Sequence, residues 1–452
     1  RRKERGIMSI HIGSKQSGTG GAVSRRGFLK CAAAAGGALA MPTLIPASAL
    51  GRDGAVAPSE RIVMGGIGIG GRGSADLGHG ILPEKDTQFV AVCDVRKDRR
   101  EAVKRMVDTK YGNQDCATYS DIREFLATRT DIDAVLIATS DRWHAAASVL
   151  AMRAGKDVYC EKPGSMTIAE GQAVVDAARR YARVFQTGTQ RLSEANFTVA
   201  NELLRLGRLG KIHTVRAHIA PWDSAYMNRA WLPAEPEPPR EELDWDAWLG
   251  PAPWRPYNSR YVRGGWHGQY DFHTSCIGEW GSHTFAQCHV ALGLGHSAPV
   301  FYGYVNNETS DGMVMRFANG VEMVSQRTGW HGSCGVRFEG SEGWVACADG
   351  YQRPEVSRPS LLADYTKLVN DYQARTGRRM GHMRNFLDCV RTRQQPVADA
   401  GVMHYSMAAV HAANIAMWLK RDMRFDPVKN EFINDPEANR MRSRAMRQPW
   451  QI

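Results

Sequence analysis

An apolar run, Ile62-Val-Met-Gly-Gly-Ile67, passes directly into Gly68-Ile-Gly-Gly-Arg-Gly73, and this junction constrains the chain more than any other feature. A strand, then G-x-G-x-x-G, then a helix is how a backbone offers bare N–H groups and a helix N-terminus to a pyrophosphate. Glycine-rich turns are common, so the decision falls to the strands downstream of this one. Phe89–Cys93 reads as a second buried strand and ends in Asp94, 26 residues after Gly68. A carboxylate there can accept from both hydroxyls of an adenosine ribose; an ordinary strand-end Asp is the plain alternative. Arg96 and Lys97 would instead suit a 2′-phosphate, so NAD is preferred and NADP stays open. Asp133–Ala138 is a further continuous apolar strand, as parallel sheets require. It ends at Thr139-Ser-Asp-Arg-Trp-His144, after which a helix runs to Ala154 with Gly155 as C-cap. Lys156–Cys160 delivers Glu161, Lys162 and Pro163, Thr167-Ile-Ala-Glu170 forms a capping box, and Val184–Gly188 closes the series. Strands alternating with helices specify an α/β, doubly wound parallel sheet with its ligand beyond the strand C-termini. Asp94, His144 and Lys162 all fall there.

These stretches, with GRLGKIHTV (207–215), LDWDAWLGPAPWRPY (243–257), EWGSH (279–283) and NDPEANR (434–440), resemble the Gfo/Idh/MocA oxidoreductases, in particular exported members of planctomycete-like bacteria. The resemblance covers the chain from about residue 60 to its end. It implies an NAD(P)-binding Rossmann domain over 58–187 and a C-terminal α+β domain over 188–430. That second domain would carry a largely antiparallel open sheet, substrate contacts and an oligomer interface, with a helix near 380–420 packing back on the first. A tail over 431–452 completes the chain. The implied cofactor-binding residues are Gly68, Gly70, Gly71, Arg72, Gly73, Asp94, Arg96, Thr139, Ser140, His144, Glu161, Lys162 and Gln190. The family motif Asp-x-Gly-x-His, whose His shares in proton transfer while its Asp holds substrate, reads here Glu279-Trp-Gly-Ser-His283. The glycine-rich approach usual before it reads Phe272-His-Thr-Ser-Cys-Ile277, and Gln287 replaces a frequent later acid.

Oxidising an alcohol requires hydride departure to a nicotinamide and proton removal from the oxygen. Lys162, at a Rossmann strand end, can act as base or as donor to the forming alkoxide, with His283 sharing the proton. Lys162, His283 and Glu279 are therefore the expected catalytic residues. On a helix Glu279 and His283 share a face. A metal site built from His267, Asp271, His273, Glu279 and His283 is the competing reading, but hydride transfer needs no metal and the spacing fits no standard motif. No metal is expected. Trp222, Trp231, Trp245, Trp248, Trp254, Trp266 and Trp280 crowd a Pro-rich stretch, where aromatic faces could meet sugar C–H faces but more simply pin down a long excursion.

Ser24-Arg-Arg-Gly-Phe-Leu-Lys30, an Ala/Gly-rich stretch to Leu44 and Ala47-Ser-Ala49 form a twin-arginine export signal over 1–49, with Met8 as an alternative start. Its apolar part is too short for a membrane span. The signal holds most of the basic excess: without it the formal charge falls from +11 to +4, so neither nucleic acid nor an acidic membrane surface is called for. Of nine cysteines, the eight beyond Cys31 show no C-x-x-C pair. The reading is an enzyme: a periplasmic NAD(P)-dependent oxidoreductase acting on a sugar or glycoside hydroxyl, with tightly bound cofactor and a homo-oligomeric assembly. The alternatives are a redox-neutral NAD-dependent glycoside hydrolase and a non-catalytic nucleotide-binding or assembly protein.

Overall fold

The computed structural model describes residues 56–219, 227–307, 311–330 and 332–452. The expected export signal (1–49) and Trp222 lie outside the described residues. β1 (Ile62–Ile67), α1 (Gly71–Asp76), β2 (Thr87–Cys93), α2 (Lys97–Tyr111), β3 (Ala117–Tyr119), α3 (Ile122–Thr128), β4 (Ala134–Ile137), α4 (Asp141–Arg153), β5 (Asp157–Cys160), α5 (Ile168–Arg180) and β6 (Phe185–Thr187) alternate along the chain. Their strands form one six-stranded sheet in the order β3-β2-β1-β4-β5-β6, parallel throughout. β4 and β5 are buried at every position, which is why they read as unbroken apolar runs. β3 had no such signal, being three partly exposed residues at the sheet edge. The order reverses between β1 and β4, opening a crevice beyond their C-terminal ends. At the start of α5, Thr167 Oγ1 accepts from Glu170 N at 3.1 Å as expected, but the Glu170 carboxylate accepts from Met166 N at 2.7 Å. The box thus closes one residue before the cap.

After α6 (Ala195–Arg205) the chain builds a nine-stranded sheet. β7 (Ile212–Ile219) is followed by α7 (Trp245–Leu249), α8 (Ser275–Ala291) and the strands β8 (Phe301–Tyr302), β9 (Val314–Arg316), β10 (Glu322–Ser325), β11 (Cys334–Gly340), β12 (Gly343–Ala348) and β13 (Glu355–Val356). After α9 (Tyr365–Thr376), α10 (His382–Thr392) and α11 (Ala400–Leu419), β14 (Met423–Asp426) and β15 (Glu431–Phe432) complete it. The order is β13-β12-β11-β7-β10-β9-β8-β14-β15; β10 on β7 is its one parallel pair. The result is a parallel Rossmann sheet followed by an α+β unit with a largely antiparallel open sheet.

The late helices return to the first sheet. Met383, Phe386 and Leu387 of α10 share a core with Met64 and Phe89, and His382 Nε2 lies 2.8 Å from Thr187 O. α11 is buried almost end to end because it lies between α5 and α8. The seven cysteines with described side chains are buried free thiols, small apolar fillers in the sense of Cys93 and Cys160. No helix among the described residues is long and apolar enough to cross a membrane.

Candidate active site

A cleft of about 750 Å³ runs along the C-terminal ends of the parallel strands and is roofed by the second sheet's domain. Each glycine of the β1–α1 turn has its own reason. Gly68 sits at φ +69, and a Cβ there would lie 2.2 Å from Thr139 Cγ2; a Cβ on Gly73 would meet Ala138 Cβ at 2.8 Å. A Cβ on Gly70 or Gly71 would meet nothing within 4 Å, and both residues line the cleft. The turn is thus tight at its start, packed at its end, and open where a pyrophosphate would lie on backbone N–H groups. The residues fit a dinucleotide.

Gly68, Gly70, Gly71, Arg72, Asp94 and Arg96 line this cleft, and so do Thr139, Ser140, His144, Glu161, Lys162 and Gln190. Gly73 does not; it packs α1 against β4. Desolvation pushes the Asp94 carboxyl up to about 6, against the pull of the Arg96 N–H at 2.9 Å and of the Arg96 and Arg100 charges. The Arg96 guanidinium is turned to Asp98, at 2.6 and 3.0 Å, and Lys97 to Glu242, at 3.0 Å. Glu161 is buried and accepts from Gln190 Nε2 at 2.7 Å and from the Lys162 N–H at 3.2 Å. Arg72 approaches Glu161 at 3.4 Å and pairs with Asp76 at 2.8 Å. Burial first, and then the neighbouring Glu161, raise Asp76 to about 8 despite Arg72. Both ring nitrogens of His144 face backbone carbonyls, Pro163 O at 2.6 Å and Thr139 O at 3.2 Å. The shorter of these contacts ties the ends of β4 and β5 together, and the ring still lines the cleft beside the other expected cofactor residues.

The inner end of the cleft holds the polar cluster. α8 carries Glu279 and His283 one turn apart, and both line the cleft with Lys162. Glu279 Oε1 lies 3.5 Å from Lys162 Nζ, and Oε2 lies 3.3 Å from His273 Nε2. Burial raises the Glu279 carboxyl, but His273 and Lys162 outweigh it and hold it down to about 2. His283 is buried; desolvation, then the nearby Lys162 charge, push it well below the ordinary value, so its ring is neutral. Its Nδ1 has no partner among the described residues. Lys162 Nζ also lies 5.3 Å from the Trp280 ring centroid.

Of the five residues of the competing metal reading, His267, His273 and Glu279 converge, with ligand atoms within 4.8 Å of one another. Asp271 is instead paired with the buried Arg255. The outer hydrogen bonds decide the chemistry. The Gly268 N–H donates to His273 Nδ1 at 3.2 Å, which places the ring proton on Nε2, facing Glu279. A metal on that nitrogen would have to displace this proton, whereas a hydrogen bond uses it. His267 is the reverse: Nδ1 lies 2.7 Å from Gly264 O, leaving Nε2 as the acceptor.

The tryptophan-rich stretch divides. Trp245 and Trp248 are buried and stacked at 4.7 Å, Trp248, Trp266 and Trp280 line the cleft, and Trp231 and Trp254 are exposed and paired edge to face at 6.4 Å. Sequence reasoning missed Ser120, Asp121 and Trp143 of the cleft wall, and Trp450 from the far end of the chain. Ser120 and Asp121 follow the unrecognised β3; Trp450 carried no local signal.

The residues 61–189 match the family described as the oxidoreductase family, NAD-binding Rossmann fold, and 200–452 match its C-terminal alpha/beta domain. The chain belongs to the Gfo/Idh/MocA oxidoreductases. A myo-inositol 2-dehydrogenase of Thermotoga maritima is 28% identical over 131 residues, 29% of this chain and 37% of that protein. An alpha-N-acetylgalactosaminidase of Shewanella oneidensis is 31% identical over 175 residues, 35% of this chain and 37% of that protein. These matches span well under half the length of either relative. Among solved structures, the myo-inositol 2-dehydrogenase of Lactobacillus plantarum aligns with 81% of this chain and all of its own (TM-score 0.56, 17% identity). The WlbA dehydrogenase of Bordetella pertussis, in complex with NADH and UDP-GlcNAcA, aligns with 81% of this chain and 99% of its own (TM-score 0.56, 16% identity). At these identities the structural likeness is one of fold.

Proposed function

We propose that this family member is an NAD-dependent oxidoreductase acting at a hydroxyl-bearing carbon of a sugar or glycoside, with its dinucleotide retained between turnovers. One observation carries the reading: an ammonium, a carboxylate and an uncharged imidazole meet at the inner end of a cleft whose other wall is an open glycine turn. When bound, the nicotinamide would supply the hydride acceptor. Neutral His283 can take the hydroxyl proton as the C–H pair departs, and Lys162 donates to the developing alkoxide. Glu279 holds Lys162 in place, and Trp266 and Trp280 offer flat faces to the C–H side of a sugar ring. Asp94 at the ribose position, with Arg96 committed to Asp98, favours NAD over NADP. The twin-arginine pattern over 24–30 supports export to the periplasm, where a dinucleotide loaded in the cytoplasm is turned over in place, as part of a homo-oligomer.

The test is absorbance in the reduced-nicotinamide band, recorded on purified protein before and after a sugar and glycoside panel, with product analysis. A ketosugar with stoichiometric reduction of cofactor is expected. A hydrolysed glycoside with no net reduction would replace this reading by the redox-neutral one, and protein that binds nucleotide but converts nothing would support an assembly role. Export is checked separately: Arg25→Lys/Arg26→Lys should keep the protein cytoplasmic with nucleotide still bound, and normal export of that variant would defeat the signal assignment.

A further inference from the structure

The chain's last residues close one end of the cleft. Trp450 is 5% exposed and lines the cleft with Ser120, Asp121, Ile122 and Trp143. Those neighbours stand at the ends of β3 and β4. Ser120, Asp121 and Ile122 are on the side of Asp94, where the adenosine half of a dinucleotide would lie, and across the switch point from β5, which delivers Lys162; Trp143 follows β4, the strand that borders the switch point. Trp450 meets the Trp143 ring edge to face, with centroids 4.8 Å apart, and the Arg123 guanidinium lies 5.0 Å from its own centroid. Trp143 is fixed in turn. Its Nε1 donates to Ala247 O at 3.0 Å, and Gly250 packs so closely that a Cβ there would lie 2.2 Å from the indole.

The segment bearing Trp450 is tied to that same platform by Arg447. Its side chain donates to Gly250 O at 3.1 Å, Asp246 Oδ1 at 2.7 Å and Asp246 O at 2.8 Å, and its backbone N–H donates to Pro251 O at 3.0 Å. The Asp246 bonds are exposed, and bonds of that kind hold weakly. Trp450 Nε1 is buried with no acceptor among the described residues, an uncompensated cost of docking. The segment is seated over the cleft by the buried Trp450 ring, with Met446 and Ile452 against the same core, and by the rim bonds of Arg447. A ligand beneath it adds apolar contact to the docked state alone and shifts the equilibrium toward closure.

We propose that Arg447–Ile452 is a strap that closes over the adenosine end of the cleft, with Trp450 as its contact face, and that strap opening limits dinucleotide release. The proposal rests on the reading of this cleft as a dinucleotide site. It supplies a physical reason for cofactor retention that the glycine turn alone does not. Arg447 acts at a distance from the ligand, through the docking of the strap, and is a positioning residue; Trp450 is a binding residue.

The experiment uses the full chain with NADH as probe. Dissociation is followed by loss of tryptophan-to-nicotinamide energy transfer when excess NAD is mixed with the loaded protein. Trp450→Ala and Arg447→Ala should each release NADH faster by on the order of tenfold or more, with association rates nearly unchanged; Arg447→Ala should keep the melting temperature of nucleotide-free protein near wild type, while Trp450→Ala, which removes a buried ring, should lower it. Trp450→Phe should stay near wild type, because it keeps the contact face and removes the unpaired donor. Release from Trp450→Ala at the wild-type rate overturns the proposal. So does fast release from Trp450→Ala beside wild-type release from Arg447→Ala, which would make Trp450 a fixed wall. Wild-type protein that takes up no dinucleotide removes the nucleotide site itself, and the strap with it.

Discussion

Glu279 allows the site to be tested before any substrate is known. Its carboxyl is held down to about 2 against an ordinary 4.5, burial being outweighed by the His273 hydrogen bond and the Lys162 charge. One pKa unit corresponds to about 1.4 kcal/mol, so the ionised group stabilises the folded state by up to about 3 kcal/mol at neutral pH. The folded value is the lower one. The stabilisation is therefore complete above pH 4.5 and is lost as the pH falls toward 2. Glu279→Gln removes the charge while keeping the shape. Thermal unfolding at matched ionic strength should show the variant melting several degrees below wild type at neutral pH, with that gap shrinking by more than half by about pH 3. A gap of the same size at both pH values, or none at neutral pH, would refute the ion cluster. Length is tested with Glu279→Asp. Drawing the carboxylate back by one methylene lengthens the 3.5 Å contact to Lys162 by about 1.2 Å, which at an effective dielectric near 20 weakens it by about 1 kcal/mol. Turnover should fall on the order of tenfold.

Lys162→Ala and His283→Ala should each retain nucleotide and lose turnover by on the order of 10²–10⁴-fold, and the double variant should lose far less than the product, since both serve one proton transfer. Near-wild-type turnover of Lys162→Ala on an identified substrate would defeat the mechanism. Gly70→Val should leave the fold intact, because a Cβ there meets no protein atom, yet abolish dinucleotide co-purification by filling the cradle; nucleotide recovered at wild-type yield counts against the cradle. Asp76, raised to about 8, favours the folded state in its protonated form, so its contribution is complete below about 3.8 and is lost as the pH rises through 8. Asp76→Asn should therefore gain stability relative to wild type between about pH 5 and 8 in denaturant titrations, and a constant difference across that window would contradict the assignment.

The Rossmann half was legible because its strands are buried on both faces, so composition and element coincide: Val135, Leu136 and Ile137 are fully buried and read as apolar without interruption. The glycine turn announced its own geometry through Gly68 and Gly73, where a Cβ has no room. The second domain was legible only by resemblance, since strands of two to four residues such as β8, β9 and β13 leave no period to count. Sites assembled across long separations were invisible for the same reason. Nothing near residue 450 in sequence records that its tryptophan will stand against Trp143, and nothing near His144 records that Pro163 O will occupy its ring.

The departures from the family motif, which as separate residues look like scattered losses, become one change in the structure. Where relatives approach the motif on glycines, this chain places His273, Thr274 and Ser275. Ser275 sits at φ +74, a conformation that suits glycine and costs a non-glycine residue about 1 kcal/mol or more. The segment is held against that cost: Ser275 Oγ donates to Asn414 Oδ1 at 3.1 Å, and Thr274 N and Oγ1 donate to Asp141 at 3.0 and 2.9 Å. The strained path is fastened by these side-chain bonds. What the path delivers is His273, and His273 meets the carboxylate of Glu279 only because that residue has one methylene more than the usual Asp. The two substitutions are therefore coupled. His273→Gly with Glu279→Asp should recover part of the activity that Glu279→Asp loses alone, because the shorter carboxylate no longer leaves a buried imidazole N–H unpaired. Strict additivity of the two losses would show that they arose independently and that His273 serves another purpose.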